Sequence, residues 1–289
     1  MSTVIRPAVA GDAERIAPWT RDTFAWGDYV ADALPRWIDD PASMPMVAEV
    51  GGEVVALGSI VAMSDDEALA QGMRVHPDHR RSGLGTAVGE ELWAWARDRG
   101  VRVVRLVVED WNTAAIGQVT SAGFRPVSEW TIATRGVGGS SPTPVGNGGR
   151  RVPAPETLRP AHSAEAEPAL MSWSTGPLAR AARGLFPADG WRFRRLTPDD
   201  LVAAARDRTL WEGRPGWAIA AVEAETFRVG WVETSEPDAR AMVHAIVDRA
   251  ADLGVDRIRV FVPAVDWLGQ ALRYFGSDLE PMTVYAKVL

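Results

Sequence analysis

The sequence predicts an α/β fold, an α+β mixed sheet flanked by helices, repeated as two tandem domains. Three observations carry that prediction. Strand-like and helix-like runs alternate from residue 3 to residue 134. Residues 136–156, GVGGSSPTPVGNGGRRVPAPE, are dominated by Gly, Pro and Ser without periodicity, the composition of a linker. The C-terminal half repeats the N-terminal half at an offset of 153 residues. Leu158-Arg159-Pro160-Ala161 echoes Ile5-Arg6-Pro7-Ala8, Gly276 echoes Gly123, and residues 254–261 echo Val101–Val108. The domains expected are 1–135 and 157–289, with 136–156 between them. At 289 residues and 46% apolar content the chain is long enough for two packed cores.

Taken in order, Val4 to Ala8 reads as a first strand interrupted by Pro7, and a helix begins near Asp12. The segment from Trp19 to Trp37 carries Trp19, Phe24, Trp26, Tyr29 and Trp37 among Asp22, Asp28 and Asp32. Two readings stay open for it: an amphipathic helix packed on a sheet, or an aromatic and acidic wall that receives a cationic substrate. Met46–Val50 and Val54–Met63 are strands joined at Gly51-Gly52, a tight hairpin signal. Ser64-Asp65-Asp66-Glu67 reads as a polar turn, and Ala68–Val75 as the next strand. A helix begins near Leu84 and stops at Gly100. Val101–Val108 is β-branched and strand-like. Asn112-Thr113-Ala114-Ala115 opens another helix, Gly123-Phe124 closes it, and Glu129–Thr134 is a further strand.

The chemistry concentrates between Val75 and Leu84. A strand, a glycine turn and a helix N-terminus make an anion site, because first-turn amides lack helical acceptors. Gly83 and Gly85 let the backbone approach a phosphate closely. Arg80 and Arg81 either supply charge-assisted contacts or are solvated surface charge. At the constant offset, Arg80–Gly85 falls on Glu233-Thr234-Ser235-Glu236-Pro237-Asp238, where glycines and arginines have given way to acids and a proline. The second domain is therefore expected to keep the frame and lack the anion site.

Composition narrows the partners. A net charge of −7 argues against a general nucleic-acid binder or an anionic-membrane binder. There are no cysteines, and the four histidines, His76, His79, His162 and His244, form no metal-ligand pattern. No run reaches about 18 apolar residues and the N-terminus has no signal-peptide pattern, so a cytoplasmic location is the expectation. Oligomeric state stays open.

Arg80-Arg81-Ser82-Gly83-Leu84-Gly85 matches the Arg/Gln-x-x-Gly-x-Gly/Ala signature of the GNAT superfamily of acyl-CoA-dependent N-acetyltransferases. Met73-Arg74-Val75-His76-Pro77 before it resembles that family's central strand and turn. Asn112-x-x-Ala115, followed by Gly123-Phe124, resembles its later asparagine helix and Gly-Phe ending. The resemblance covers roughly residues 3 to 134, and the second half resembles the degenerate partner of a tandem GNAT arrangement. It implies two domains, each a central, mostly antiparallel sheet flanked by helices, and acetyl-CoA or a related acyl-CoA as cofactor. By the same resemblance the backbone of Met73, Arg74 and Val75 would pair with pantetheine. Arg80, Arg81, Ser82, Gly83, Leu84, Gly85 and Thr86 would hold the pyrophosphate, and Asn112 would lie near the pantetheine arm.

The implied activity is transfer of an acetyl group to a primary amine by direct attack on the thioester. The acceptor would be a small molecule or a peptide. An aminoglycoside, a polyamine, an amino-acid derivative and a protein N-terminus all stay open. A base must take the amine proton. The family's frequent glutamate position is Leu69 here, and the tyrosine that often protonates the thiolate is Val119. Glu67, Glu49 and Tyr29 are the remaining catalytic candidates. The alternative is a non-catalytic acyl-CoA-binding regulatory or interaction module.

Overall fold

A computed structural model describes residues 2–25, 27–138 and 157–289. Most of the expected linker, 139–156, lies outside the described residues. The chain forms two compact units. Unit 1 is Met1–Val107, Gly117–Arg125 and Tyr285–Leu289, and unit 2 is Val108–Ile116 with Pro126–Val284.

Unit 1 opens with β1 (Thr3–Pro7), α1 (Asp12–Thr20), α2 (Val30–Asp39), β2 (Ser43–Val50), β3 (Glu53–Ala62) and β4 (Glu67–Val75). It continues with α3 (Leu84–Asp98) and with β5 (Val103–Glu109) as far as Val107. Its strands lie in the order β1-β2-β3-β4-β5. The first four pair antiparallel, and β4 pairs parallel with β5. Gly51 and Gly52 take φ of 60° and 89° and join Val50 to Glu53 across the hairpin, as their sequence demands.

The aromatic segment resolves into two helices. α2 buries Val30, Ala33, Leu34 and Trp37 against Ile16 of α1, Val47 of β2 and Val54 and Leu57 of β3. The helix reading therefore holds for residues 30–39, and the connection before it is a separate piece of structure. Glu67, read as the end of a polar turn, is instead the first residue of β4 and is buried. The turn ends one residue earlier because the Glu67 carbonyl accepts the Met63 and Ser64 amides, at 2.7 and 3.1 Å, which closes the β3–β4 hairpin.

The second half repeats the element order with one insertion. It runs β7 (Arg159–Pro160), α5 (Ala166–Thr175), α6 (Pro177–Ala182), β8 (Leu185–Asp189), β9 (Arg192–Arg195) and α7 (Pro198–Arg206). Next come β10 (Leu210–Gly213), β11 (Gly216–Glu223), β12 (Thr226–Thr234), α8 (Ala239–Asp252), β13 (Arg257–Pro263), α9 (Asp266–Tyr274) and β14 (Asp278–Val288). The first half has no counterpart of α6, β8 and β9: α7 packs on α5 and leads by a short turn into β10, as α2 packs on α1 and leads into β2.

The units do not follow a single cut in the chain. β6 (Arg125–Gly136), expected to close the first domain, pairs antiparallel with β13 in unit 2, from Gly136↔Arg257 to Trp130↔Pro263. Reciprocally, Tyr285–Leu289 belongs to unit 1, where the Leu289 amide donates to the Arg102 carbonyl at 3.0 Å. Each half thus lends its last strand, wholly or in part, to the other unit. α4 (Thr113–Ser121) is shared between them. Among the described residues no helix is long and apolar enough to cross a membrane.

Candidate functional site

In unit 1, β4 and β5 pair only at Glu67↔Val103, Ala68↔Val104 and Leu69↔Arg105. From Ala70 to Val75 β4 keeps its β3 partner and parts from β5. This opens a fork whose one wall is the main-chain edge of Met73, Arg74 and Val75. A β-bulge marks the fork: Leu57 pairs with Arg74 and Ser59 with Gln71, so Gly58 faces two residues. Gly72 adopts φ of 68°, and a Cβ there would stand 2.4 Å from the Trp37 ring. Only glycine lets α2 close on the bulge.

The open end of the fork meets α3. Gly83 is its N-cap at φ 83°, and Arg81 is also left-handed at φ 62°. The first helical bond is Ala87 N–H to the Gly83 carbonyl at 3.0 Å, so the amides of Leu84, Gly85 and Thr86 lie ahead of the ladder. A Cβ on Gly85 would come within 3.2 Å of Gln118 Nε2 and 3.5 Å of Val75 Cγ2. The helix start is therefore seated directly on the end of β4. Arg80, Arg81 and Ser82 are exposed, and the Ser82 hydroxyl donates to the His79 carbonyl. A main-chain edge leading to exposed amides and two arginines fits an extended amide chain that ends in phosphates. Asn112 is placed in unit 2, where its Oδ1 accepts the Ala115 amide at 3.1 Å as the cap of α4.

The acid–base candidates are already engaged. Glu67 Oε1 accepts from Arg105 Nη2 at 2.8 Å, with both side chains about 95% buried (5% and 6% exposed). Glu49 binds Arg6 at 2.9 Å and Arg15 at 3.6 Å, in a network with Asp12. Burial alone would raise the Asp12 carboxyl, but the hydrogen bonds from Arg6, the Val9 amide and Arg15 outweigh it and hold it below the usual range. Tyr29 is 43% exposed, edge-on to Trp37 at 6.2 Å, with the Arg74 guanidinium 5.8 Å from its ring. Arg74 also lies 5.1 Å from the Phe24 ring and donates to both oxygens of Asp28, at 2.6 and 3.2 Å. One acid of the supposed acidic wall is thus satisfied by β4 itself. Leu69 is buried, and Val119 is half-buried with its carbonyl accepting the Phe124 amide. Sequence reasoning passed over Arg105, Gln71 and Ser59; a charged or polar residue inside an apolar strand was the available signal for each.

The profile of the Acetyltransferase (GNAT) family matches residues 13–124, which contain the fork and the glycine turn. An acetyltransferase of Pectobacterium atrosepticum is 32% identical over 111 residues, 38% of this chain and 77% of that protein. The chain belongs to the GNAT acetyltransferase family. Among solved structures, a GCN5-related N-acetyltransferase from Sphaerobacter thermophilus superposes with a TM-score of 0.68 at 18% identity, covering 99% of this chain and 95% of that one. A putative acetyltransferase from Thermoplasma acidophilum gives a TM-score of 0.59 at 20% identity, covering 99% of this chain and 100% of that one. At these identities the likeness is one of fold, and it extends over both halves of this GNAT chain.

The second half departs from the first at the turn. The connection from β4 to α3 spans residues 76–83, whereas that from β12 to α8 spans only 235–238. The constant offset had set acids against the glycine turn. The halves in fact differ by a shortened loop, and Glu233 is a strand residue at the end of β12. The pair just ahead of the β-bulge is Leu57↔Arg74 in the first half and Ile219↔Trp231 in the second, so the counterpart of Arg74 in register is Trp231, and Glu233 lies two residues beyond it. The inserted β8–β9 hairpin covers the place where β12 parts from β13. A Cβ on Gly230 would lie 3.1 Å from the Pro187 carbonyl, and Trp191 packs edge-on against Phe261 at 6.2 Å.

Proposed function

We propose that the chain is an acetyl-CoA-dependent N-acetyltransferase that moves an acetyl group to a primary amine, with one acyl-CoA site per chain in unit 1. The observation that carries this is the fork. The edge of β4 from Val75 back to Ala70 is left without a β5 partner, and the glycine-built start of α3 sits against its open end. Met73, Arg74 and Val75 offer main-chain groups to the pantetheine amides. Leu84, Gly85 and Thr86 offer amides to the pyrophosphate, with Arg80, Arg81 and the turn Ser82–Gly83 around it. Bound acetyl-CoA would supply the activated thioester.

A main-chain amide near Arg74 or Val75 serves as donor to the oxygen on which charge develops. The amine enters beside Phe24 and Tyr29, the rings that flank Arg74, where Tyr29 is exposed for contact with it. Glu67 and Glu49 both hold arginines, so the amine proton leaves through water unless Glu67 is released from Arg105. Asn112 is assigned to capping α4 first, and to the pantetheine arm only as the family resemblance implies.

Calorimetric titration with CoA tests the cradle. Gly83→Val and Gly85→Leu, each checked for retained thermal stability, are expected to weaken binding by roughly 100-fold or more. Two lost charge-assisted hydrogen bonds at about 1.5 kcal/mol each suffice for that. Unchanged affinity would sink the assignment. Thiol release from acetyl-CoA across small amines, amino-acid amides and amino-sugars separates the enzyme from a non-catalytic binder, for which release would stay at background.

A further inference from the structure

One buried polar cluster is not used by the chemistry above. It lies on the sheet face opposite α3, at the fork itself. Met73 and Val75 face α3, as their contacts with Gly58, Leu92 and Gly85 require. Gln71 stands directly opposite Ser59 in register, in the row that also holds Glu67, Leu69 and Val61. Ser59 is fully buried, and neither Ser59 Oγ nor Gln71 Nε2 has a hydrogen-bond partner among the described residues. Buried polar atoms are nearly always satisfied, so two unsatisfied neighbours on paired strands call for a reason.

Their position supplies one. An extended chain with its phosphates at Gly85 and its arm along β4 from Val75 runs back toward the fork. From Val75 to Gln71 that is roughly 13 Å at about 3.3 Å per residue. The acyl end therefore arrives beside Gln71, a half-buried residue whose Nε2 is itself buried and must turn outward to meet an acceptor. On either side the row is electrically closed. Glu67 is paired with Arg105 at 2.8 Å, and Arg74 is paired with Asp28 at 2.6 Å. A polycation would find those two carboxylates already matched. What remains at the acyl end is a neutral amide and a neutral hydroxyl, beside the aromatic rings of Phe24, Tyr29 and Trp37.

We propose that Gln71, backed by Ser59, selects the acceptor, and that the acceptor is an amine with a carbonyl on the adjacent carbon, as in an amino-acid amide or a peptide N-terminus. The side-chain amide donates to that carbonyl and so fixes the amine against the thioester. As the amide turns to that carbonyl, its oxygen accepts from the Ser59 hydroxyl, which holds it from behind. This specificity rests on the acyl-transfer reading of the fork, and the test keeps the two apart.

Alaninamide and 1-aminopropane are titrated into the CoA-saturated protein, and both are offered with acetyl-CoA for turnover. The wild-type chain is expected to bind alaninamide. Gln71→Met and Ser59→Ala are each expected to reduce alaninamide binding and kcat/KM by at least about 10-fold, a modest share of what a lost specificity hydrogen bond can remove. The same variants leave CoA affinity and the 1-aminopropane values within about twofold. Comparing variant with wild type for each amine cancels the difference in amine basicity. Failure of the wild type to bind alaninamide, or equal losses for both amines, overturns the proposal. Binding that depends on Gln71 without any thiol release supports the proposal and overturns the enzyme reading instead.

Discussion

Removing Glu67 alone leaves the Arg105 guanidinium buried without its counterion, since Nη1 of Arg105 already lacks a partner. Glu67→Leu should therefore cost about 3–5 kcal/mol of stability, whereas Glu67→Leu with Arg105→Met should be near neutral. Urea melts check the stabilities, and turnover of the double variant decides the role of Glu67. Retained activity is expected if the pair is structural; a stable but inactive double variant would make Glu67 the base. Glu233 gives a second test. Burial pushes its carboxyl up against the opposing effect of the Ser172 hydrogen bond, and Oε2 has no partner. A raised folded pKa means that the stability it contributes is complete below the ordinary glutamate value of about 4.3 and is lost as pH rises through the folded value. Glu233→Gln keeps a neutral group at all pH. It should raise Tm at pH 7–8 and lose that advantage near pH 4, which a pH series of thermal melts would read. At this scale the glycines were legible because φ above zero and close approach leave few substitutes. The partners of Glu67 and Arg74 were not, because Arg105 and Asp28 are brought to them by pairing and by a helix connection that no local pattern encodes.

At the scale of elements, two edits separate the halves. The second half shortens the β12–α8 connection to residues 235–238, which include Pro237, and it lays β8–β9 over the parting of β12 and β13. The first edit sets acids and a proline, without glycine or arginine, ahead of the helix start, and the second covers the open edge. CoA should accordingly titrate at one equivalent per chain. Gly85→Leu should abolish the isotherm outright, not halve it, and a residual half-stoichiometric isotherm would place a second site in unit 2. The repeat was readable from echoes such as Ile5-Arg6-Pro7-Ala8 and Leu158-Arg159-Pro160-Ala161. A fixed offset could not track it through the shortened loop, so Glu233 was set against Arg80 when the bulge sets Trp231 against Arg74 and leaves Glu233 two residues further along the strand. The strand-to-helix order around the glycine turn survived because alternation and glycine stops are local. The bulge at Gly72 did not, since one more glycine in an apolar strand carries no mark of which residues it opposes.

At the scale of the whole molecule, the exchange of last strands makes each unit depend on chain from the other half. A sequence reading places β6 with the first domain because it is contiguous with it, yet contiguity says nothing about which strand β6 pairs with. Pairing of β6 with β13 and docking of Tyr285–Leu289 on unit 1 are settled only by long-range contacts. The consequence is that residues far from the fork in sequence sustain it. Leu289 donates to the Arg102 carbonyl just ahead of β5, and the Lys287 ammonium lies 5.5 Å from the Trp93 ring on α3, the helix whose start forms the cradle. Deleting 285–289 removes that hydrogen bond, that cation–π contact and the burial of Tyr285. Together these amount to about 3 kcal/mol, or roughly a 10 °C fall in Tm for a unit of this size. The truncated chain should lose CoA affinity at temperatures where residues 73–86 are chemically intact, and cooling should restore it. A fragment ending at residue 138 should show no cooperative melt. If that fragment instead melts cooperatively and binds CoA like the full chain, unit 1 closes without its borrowed strand and the exchange has no bearing on the site.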